Sequence, residues 1–110
     1  MILITLRLPV RPELVDRWTP IAEQYARDVN DEPGCIFFEW SRSLADPTVF
    51  IATEGFANQE AGEAHMKTAH VPALMEAACD FVRETPSVIY IDAPGSNGYV
   101  EMSEITPRQA

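Results

Sequence analysis

Two consecutive strand-like runs, Cys35 to Arg42 and Thr48 to Gly55, lack a polar face, and this constrains the fold more than any other feature of the chain. In the first, Ile36, Phe38 and Trp40 alternate with Cys35, Phe37, Glu39 and Ser41. In the second, Phe50, Ala52, Glu54 and Phe56 alternate with Val49, Ile51 and Thr53. A sheet with one face in water shows apolar-in, polar-out alternation. These runs do not, so both faces of their sheet are expected to be covered. Helices can take one side. In 110 residues, the size of one domain, a second copy of the chain is the economical cover for the other.

The rest of the chain supplies the other elements. Ile2 to Leu8 reads as a strand, with Ile2, Ile4, Leu6 and Leu8 on one face. From Leu14 the period becomes helical through Trp18, Ile21, Ala22, Tyr25 and Val29, with a kink or short break expected at Pro20. Asn30-Asp31-Glu32-Pro33-Gly34 is turn chemistry, and Ser43 to Pro47 joins the two apolar runs as a hairpin loop. Asn58 fits the N-cap of a helix through Ala64. Helical pattern resumes at Val71, Leu74, Met75 and Ala78, where Pro72 suits the first turn of a separate piece. A last strand runs from Ser87 to Asp92. The order is β-α-β-β-α-β, an α+β ferredoxin-like fold with an antiparallel sheet. The domain therefore spans residues 1–92, and residues 93–110 form a polar, Gly/Pro-punctuated tail or arm.

Seventeen acidic residues against eight basic ones give a net charge of −9. No Lys/Arg cluster exists to meet phosphates, which excludes nucleic acid and anionic membrane surfaces as partners. No apolar run approaches the ~20 residues of a spanning helix. Cys35 and Cys79 are too few for a disulfide scaffold, so a reducing, cytoplasmic setting is expected.

Both histidines, His65 and His70, fall in one short stretch. On a continuous helix they would point about 140° apart. They converge only if the helix breaks between them, which Thr68 and Pro72 favour. Two histidines in a cleft suit general acid–base work; the plainer reading is a pair of surface or cap residues. Glu54 shares its strand face with apolar neighbours, where a carboxyl has a raised pKa or finds a donor such as histidine. Phe38, Trp40 and Phe56 offer flat walls for an aromatic ligand, or ordinary core packing. No glycine-rich phosphate loop or nucleophile elbow occurs, and the spacing of His65, His70 and a carboxylate matches no standard zinc or iron pattern.

Glu32-Pro33-Gly34-Cys35, Phe38-Glu39, Asp46-Pro47, Thr53-Glu54-Gly55-Phe56 and the His-x₄-His stretch at 65–70 occur in an order and spacing that resembles the antibiotic biosynthesis monooxygenase family. The resemblance covers roughly residues 2 to 92 and implies a dimeric α/β barrel. It also implies oxidation of a quinol or polyketide phenol by O₂ with no metal, flavin or haem. On that reading His65 or His70 is the base, Glu54 orients or tunes it, and Phe38, Trp40 and Phe56 hold the aromatic substrate. The chain departs from the family pattern at Val71, where an aromatic residue is common, and at Gly55-Phe56, where a Trp is common and the change is expected to reshape the pocket. Haem-degrading relatives use an Asn, a Trp and a later His; Thr5 and His65 stand at the first two places and a third histidine is missing. Relatives that isomerise a phosphorylated sugar share the His-x₄-His stretch, so an isomerase or other proton-transfer enzyme is the second reading. A non-catalytic dimeric binding module is the third.

Overall fold

The computed structural model describes residues 1–109; Ala110, the last residue of the expected tail, lies outside the described residues. The elements are β1 (Ile2–Pro9), α1 (Val15–Asn30), β2 (Cys35–Arg42), β3 (Val49–Phe56), α2 (Gln59–Met66), α3 (His70–Ala78) and β4 (Ser87–Asp92), with a single 3-10 turn, Pro12–Leu14, ahead of α1. All pairings are antiparallel and the strand order is β2-β3-β1-β4, an α+β ferredoxin-like sheet with its helices on one side. No helix among the described residues is long and apolar enough to cross a membrane.

The register sorts the faces. Ile2, Ile4, Leu6 and Leu8 stand opposite Phe56, Glu54, Ala52 and Phe50, so these residues share the helix-covered face with Phe38 and Trp40 of β2. Beneath α1 they pack with its buried stripe of Val15, Trp18, Ala22, Tyr25 and Val29. Two polar contacts lock α1 to β2. The Trp40 indole donates to the Ala22 carbonyl (2.8 Å), and the Asn30 amide brackets the backbone of Phe38, donating to its carbonyl (3.0 Å) and accepting from its N–H (3.1 Å).

Two local expectations are corrected. Pro20 does not interrupt α1. Its ring sits on the exposed side, so the buried contacts of Trp18 and Ala22 are undisturbed and only one helical hydrogen bond is forgone. In β2 a register shift between Cys35 and Phe37 places Cys35 opposite Phe56, on the covered face. Ile36, read as a neighbour of Phe38, is instead exposed.

The opposite face carries Leu3, Thr5 and Arg7, flanked by Ile51 and Thr53 of β3 and by Ile89 and Ile91 of β4. It has no helix over it, and Ile89 and Ile91 are about half exposed, at 58% and 46%. The start of the tail folds back on this side, where Tyr99 packs against Phe37 with ring centroids 4.9 Å apart.

Candidate active site

The site is assembled where the turn after α1 meets the corner between α2 and α3. Gly34 makes that approach possible, since a methyl group there would overlap Cβ of Ala61 in α2. The turn therefore lies tight against α2 and carries Glu32 beneath it. Asn58 caps α2 by accepting from the Ala61 N–H at 2.8 Å. The helix stops at Met66, and the Thr68 hydroxyl and N–H both return to the His65 carbonyl (2.7 and 3.1 Å). The chain then restarts as α3 at His70, with Pro72 in its first turn. The break lets two histidines that a straight helix would separate converge on one carboxylate.

Glu32 Oε2 lies 2.8 Å from His65 Nδ1 and 2.7 Å from His70 Nε2. An ionised carboxylate only accepts, so both rings donate to it, which sets His65 as the Nδ1–H tautomer and His70 as the Nε2–H tautomer. His65 Nε2 keeps its lone pair and stands 3.7 Å from Glu54 Oε1, beyond hydrogen-bond range. The His65 ring is held from its other side by Phe56 (centroids 4.6 Å, planes 32° apart). Glu32, His65 and His70 also form a carboxylate–bis-imidazole donor set whose atoms lie within 4.8 Å of one another, a type that suits divalent transition metals. In the arrangement seen, the oxygen sits at hydrogen-bond distance from both nitrogens and the three groups satisfy each other.

Glu54 is 6% exposed and has no hydrogen-bond partner among the described residues. Burial first, and the nearby charge of Glu32 second, push its carboxyl up to about 7. Burial and the same two carboxylates hold the Tyr25 phenol well above its ordinary value, and they raise the Cys35 thiol to about 11. These shifts share two causes, burial and the close approach of Glu32 and Glu54, and both favour the protonated form of Glu54.

Glu54 and His65 open onto a cleft of about 870 Å³ between the α2–α3 layer and the β1–β4 half of the sheet. Its floor is Ile4, Leu6, Leu8 and Val88, and α3 supplies Val71, Leu74 and Ala78 as the facing wall. Tyr90 crosses one end, its hydroxyl donating to Gln59 Oε1 at 3.1 Å. His70 faces elsewhere, into a shallow depression of about 380 Å³ with Ile21, Gln24 and Asp28.

Of the residues expected at a site, His65, His70 and Glu54 are brought together. The aromatic trio is not in the cleft. Phe38 and Phe56 are fully enclosed, and Trp40 packs among Trp18, Tyr25, Phe38 and Phe50 beneath α1. Phe38 and Trp40 lie on the correct face but on β2, away from a cleft that follows β1 and β4, and Phe56 is separated from the cleft by the ring of His65. The aromatic side chains that do line it are Tyr25 and Tyr90. Gly55 does not reshape the cleft either: it faces the open side, beneath the Phe37 ring. Reading the sequence missed Glu32 as a site residue, although it opens the Glu32-Pro33-Gly34-Cys35 motif of the family resemblance and was read only as turn chemistry.

A buried histidine–carboxylate cluster at the end of an apolar cleft, on a ferredoxin-like scaffold, marks the chain as an α+β domain with an internal polar centre. The sequence profile of the family described as "Antibiotic biosynthesis monooxygenase" matches residues 1–77, and the chain belongs to that family. The structure is similar to that of a candidate antibiotic biosynthesis monooxygenase from Caulobacter crescentus CB15 (26% identity, TM-score 0.78, covering 84% of this chain and 88% of the other). A second candidate of the same description, from Deinococcus radiodurans, aligns at 18% identity and a TM-score of 0.80 over 92% of this chain and all of the other. Rv0793 of Mycobacterium tuberculosis aligns at 12% identity and 0.79, over 88% and 98%. No curated protein sequence matches the chain.

Proposed function

We propose that the protein is a cofactor-independent monooxygenase that oxidises an electron-rich hydroxyaromatic, of the quinol or polyketide-phenol kind, with O₂. The observation that carries this reading is the 2.8 Å bond from His65 Nδ1 to Glu32, which leaves Nε2 as a free base beside an unpartnered, buried Glu54. A substrate hydroxyl between them gives its proton to Nε2. The O–H bond breaks, an N–H bond forms, and Glu32 stabilises the imidazolium. Protonated Glu54 then donates to the new oxyanion, a role open to a carboxyl kept neutral by its surroundings. The anion passes one electron to O₂, and the radical pair recombines as a carbon–oxygen bond. The resulting peroxide anion takes the proton back from His65 Nε2 to become a hydroperoxide. Loss of water from the hydroperoxide leaves a carbonyl, so one oxygen atom enters the product and the other departs as water with no outside reductant. His70 holds Glu32 from the far side and does not touch the cleft. It is a positioning residue in this scheme.

The reading includes a homodimer in which the open sheet faces pack together, supported by the uncovered apolar side chains of Ile89 and Ile91. Sedimentation at micromolar concentration checks it; a monomer there removes the dimer. Oxygen uptake with a reduced naphthoquinol or an anthrone, by protein stripped of metal, tests the chemistry. Product formation from the same substrates without oxygen would instead favour a proton-transfer isomerase, which the His65–Glu32 pair could equally serve.

A further inference from the structure

We propose that the cleft takes an amphiphile with an uncharged hydroxyl head at Glu54 and His65 and an extended apolar chain laid along β1 toward Val82 and Pro86. This rests on the proposed chemistry only for the identity of the head.

The lining is polarised from end to end. Around Ile4, whose sheet neighbours are Glu54 and Tyr90, the cleft also meets Tyr25, Gln59 and His65. Leu6, opposite Val88, continues into an apolar set of Leu8, Leu74, Met75, Ala78, Cys79 and Val82, and the remaining charged side chains of the lining, Glu63 and Lys67, come from α2 and the turn after it. Ile4 to Leu8 spans roughly 13 Å of strand, the length of a decyl chain. A compact aromatic would fill the polar end and leave the apolar trough wet, although that trough is the larger part of the wall.

The head is specified by what is missing. Glu54 is more than nine-tenths buried and makes no hydrogen bond within the described residues, so its oxygens are left to whatever occupies the cleft, where a ligand hydroxyl can meet them. A hydroxyl can donate to His65 Nε2 while accepting from Glu54, or donate to Glu54 directly. A carboxylate or phosphate head would bring a further negative charge to a place where burial and the neighbouring Glu32 already oppose the ionisation of Glu54. An ammonium head would enter a cleft that Lys67 also lines.

The test is equilibrium binding, by calorimetry under nitrogen, of 4-alkylphenols from phenol to decylphenol, so that no turnover is needed. Affinity is expected to rise about fourfold per methylene until the trough is full. V88W, which places an indole in the trough, should end that gain at short chains. Cys79 lies exposed at the outer end and Cys35 does not line the cleft. Decylphenol should therefore slow alkylation of Cys79 at least tenfold while butylphenol does not, with Cys35 unaffected by either. Affinity independent of chain length, or equal binding of decanoate or decylamine, overturns the proposal. So does a Cys79 already shielded in the ligand-free protein, which would mean that a segment of a second copy fills the trough. Chain-length-dependent binding with no oxidation in air would sustain this inference and sink the monooxygenase reading. Brisk oxidation of short quinols with no chain dependence would do the reverse.

Discussion

Glu32 divides two regions that share a carboxylate oxygen and little else. On its inner side His65, with 5% of its side chain exposed, is wedged between Phe56 and Glu54 at the end of the cleft. On its outer side His70, 23% exposed, looks into a shallow depression beside Gln24 and Asp28. The bonds to Glu32 are nearly equal in length, so bond geometry does not separate the two roles; surroundings do. A water molecule can reach the outer position and replace a lost donor. The inner position has no such substitute.

The largest expected effect tests that contrast directly. His65→Ala should lower turnover by about 10²–10⁴-fold, the usual worth of a positioned base, whereas His70→Ala should cost only about tenfold, with water entering to hold Glu32. Glu32→Gln should fall between them, because it loosens both rings at once. Equal losses in the two histidine variants, in steady-state oxygen uptake, would erase the distinction between base and positioning residue.

Next in size is a pH effect confined to the inner side. Glu54 holds its proton more tightly in the folded protein than in the unfolded chain, with the carboxyl moved from 4.5 to about 7. Folding is therefore favoured most at and below the unfolded value, and that advantage is lost as pH rises to about 7. The full change is roughly 3 kcal/mol. Glu54→Gln should flatten the fall between pH 5 and 8 in urea denaturation, leaving the variant the more stable protein at the alkaline end. A slope that survives the substitution would assign it to another group.

The smallest effect concerns the scaffold that aims His65. Asn58→Ala removes the α2 cap and should cost about 1 kcal/mol in thermal or chemical unfolding. The ring of His65, the next-to-last residue of that helix, should broaden in NMR spectra before the signal of His70 does. Equal broadening would show that the α2–α3 corner moves as one piece.

How much of this could be read from the residues themselves follows from what periodicity can encode. Alternation grouped Phe38 with Trp40 in one run and Glu54 with Phe56 in the other, and the register shows that the two groups share a face. Alternation says nothing of lateral order, and the strand order β2-β3-β1-β4 puts Phe38 and Trp40 of β2 under α1, with β3 between them and the cleft, and Phe56 behind the ring of His65. The convergence of His65 and His70 was legible because Thr68 and Pro72 mark a helix break locally. Glu32 was not, because its direction is set by how closely Gly34 lets the turn approach Ala61, a contact made only in the folded chain. At Pro20 the local rule was sound but the exposed side of the helix absorbed it.

The contacts of Glu32 with the two histidines join positions 33 and 38 residues apart along the chain. A cluster closed over that distance cannot form in a fragment or survive the detachment of either half of the sheet, since closing each loop costs entropy that only the completed fold returns. The chemistry is thus tied to the global unfolding transition and not to a local one. Hydrogen exchange and loss of activity should share a single midpoint, and a destabilising substitution anywhere in the core would lower the active fraction without touching the site.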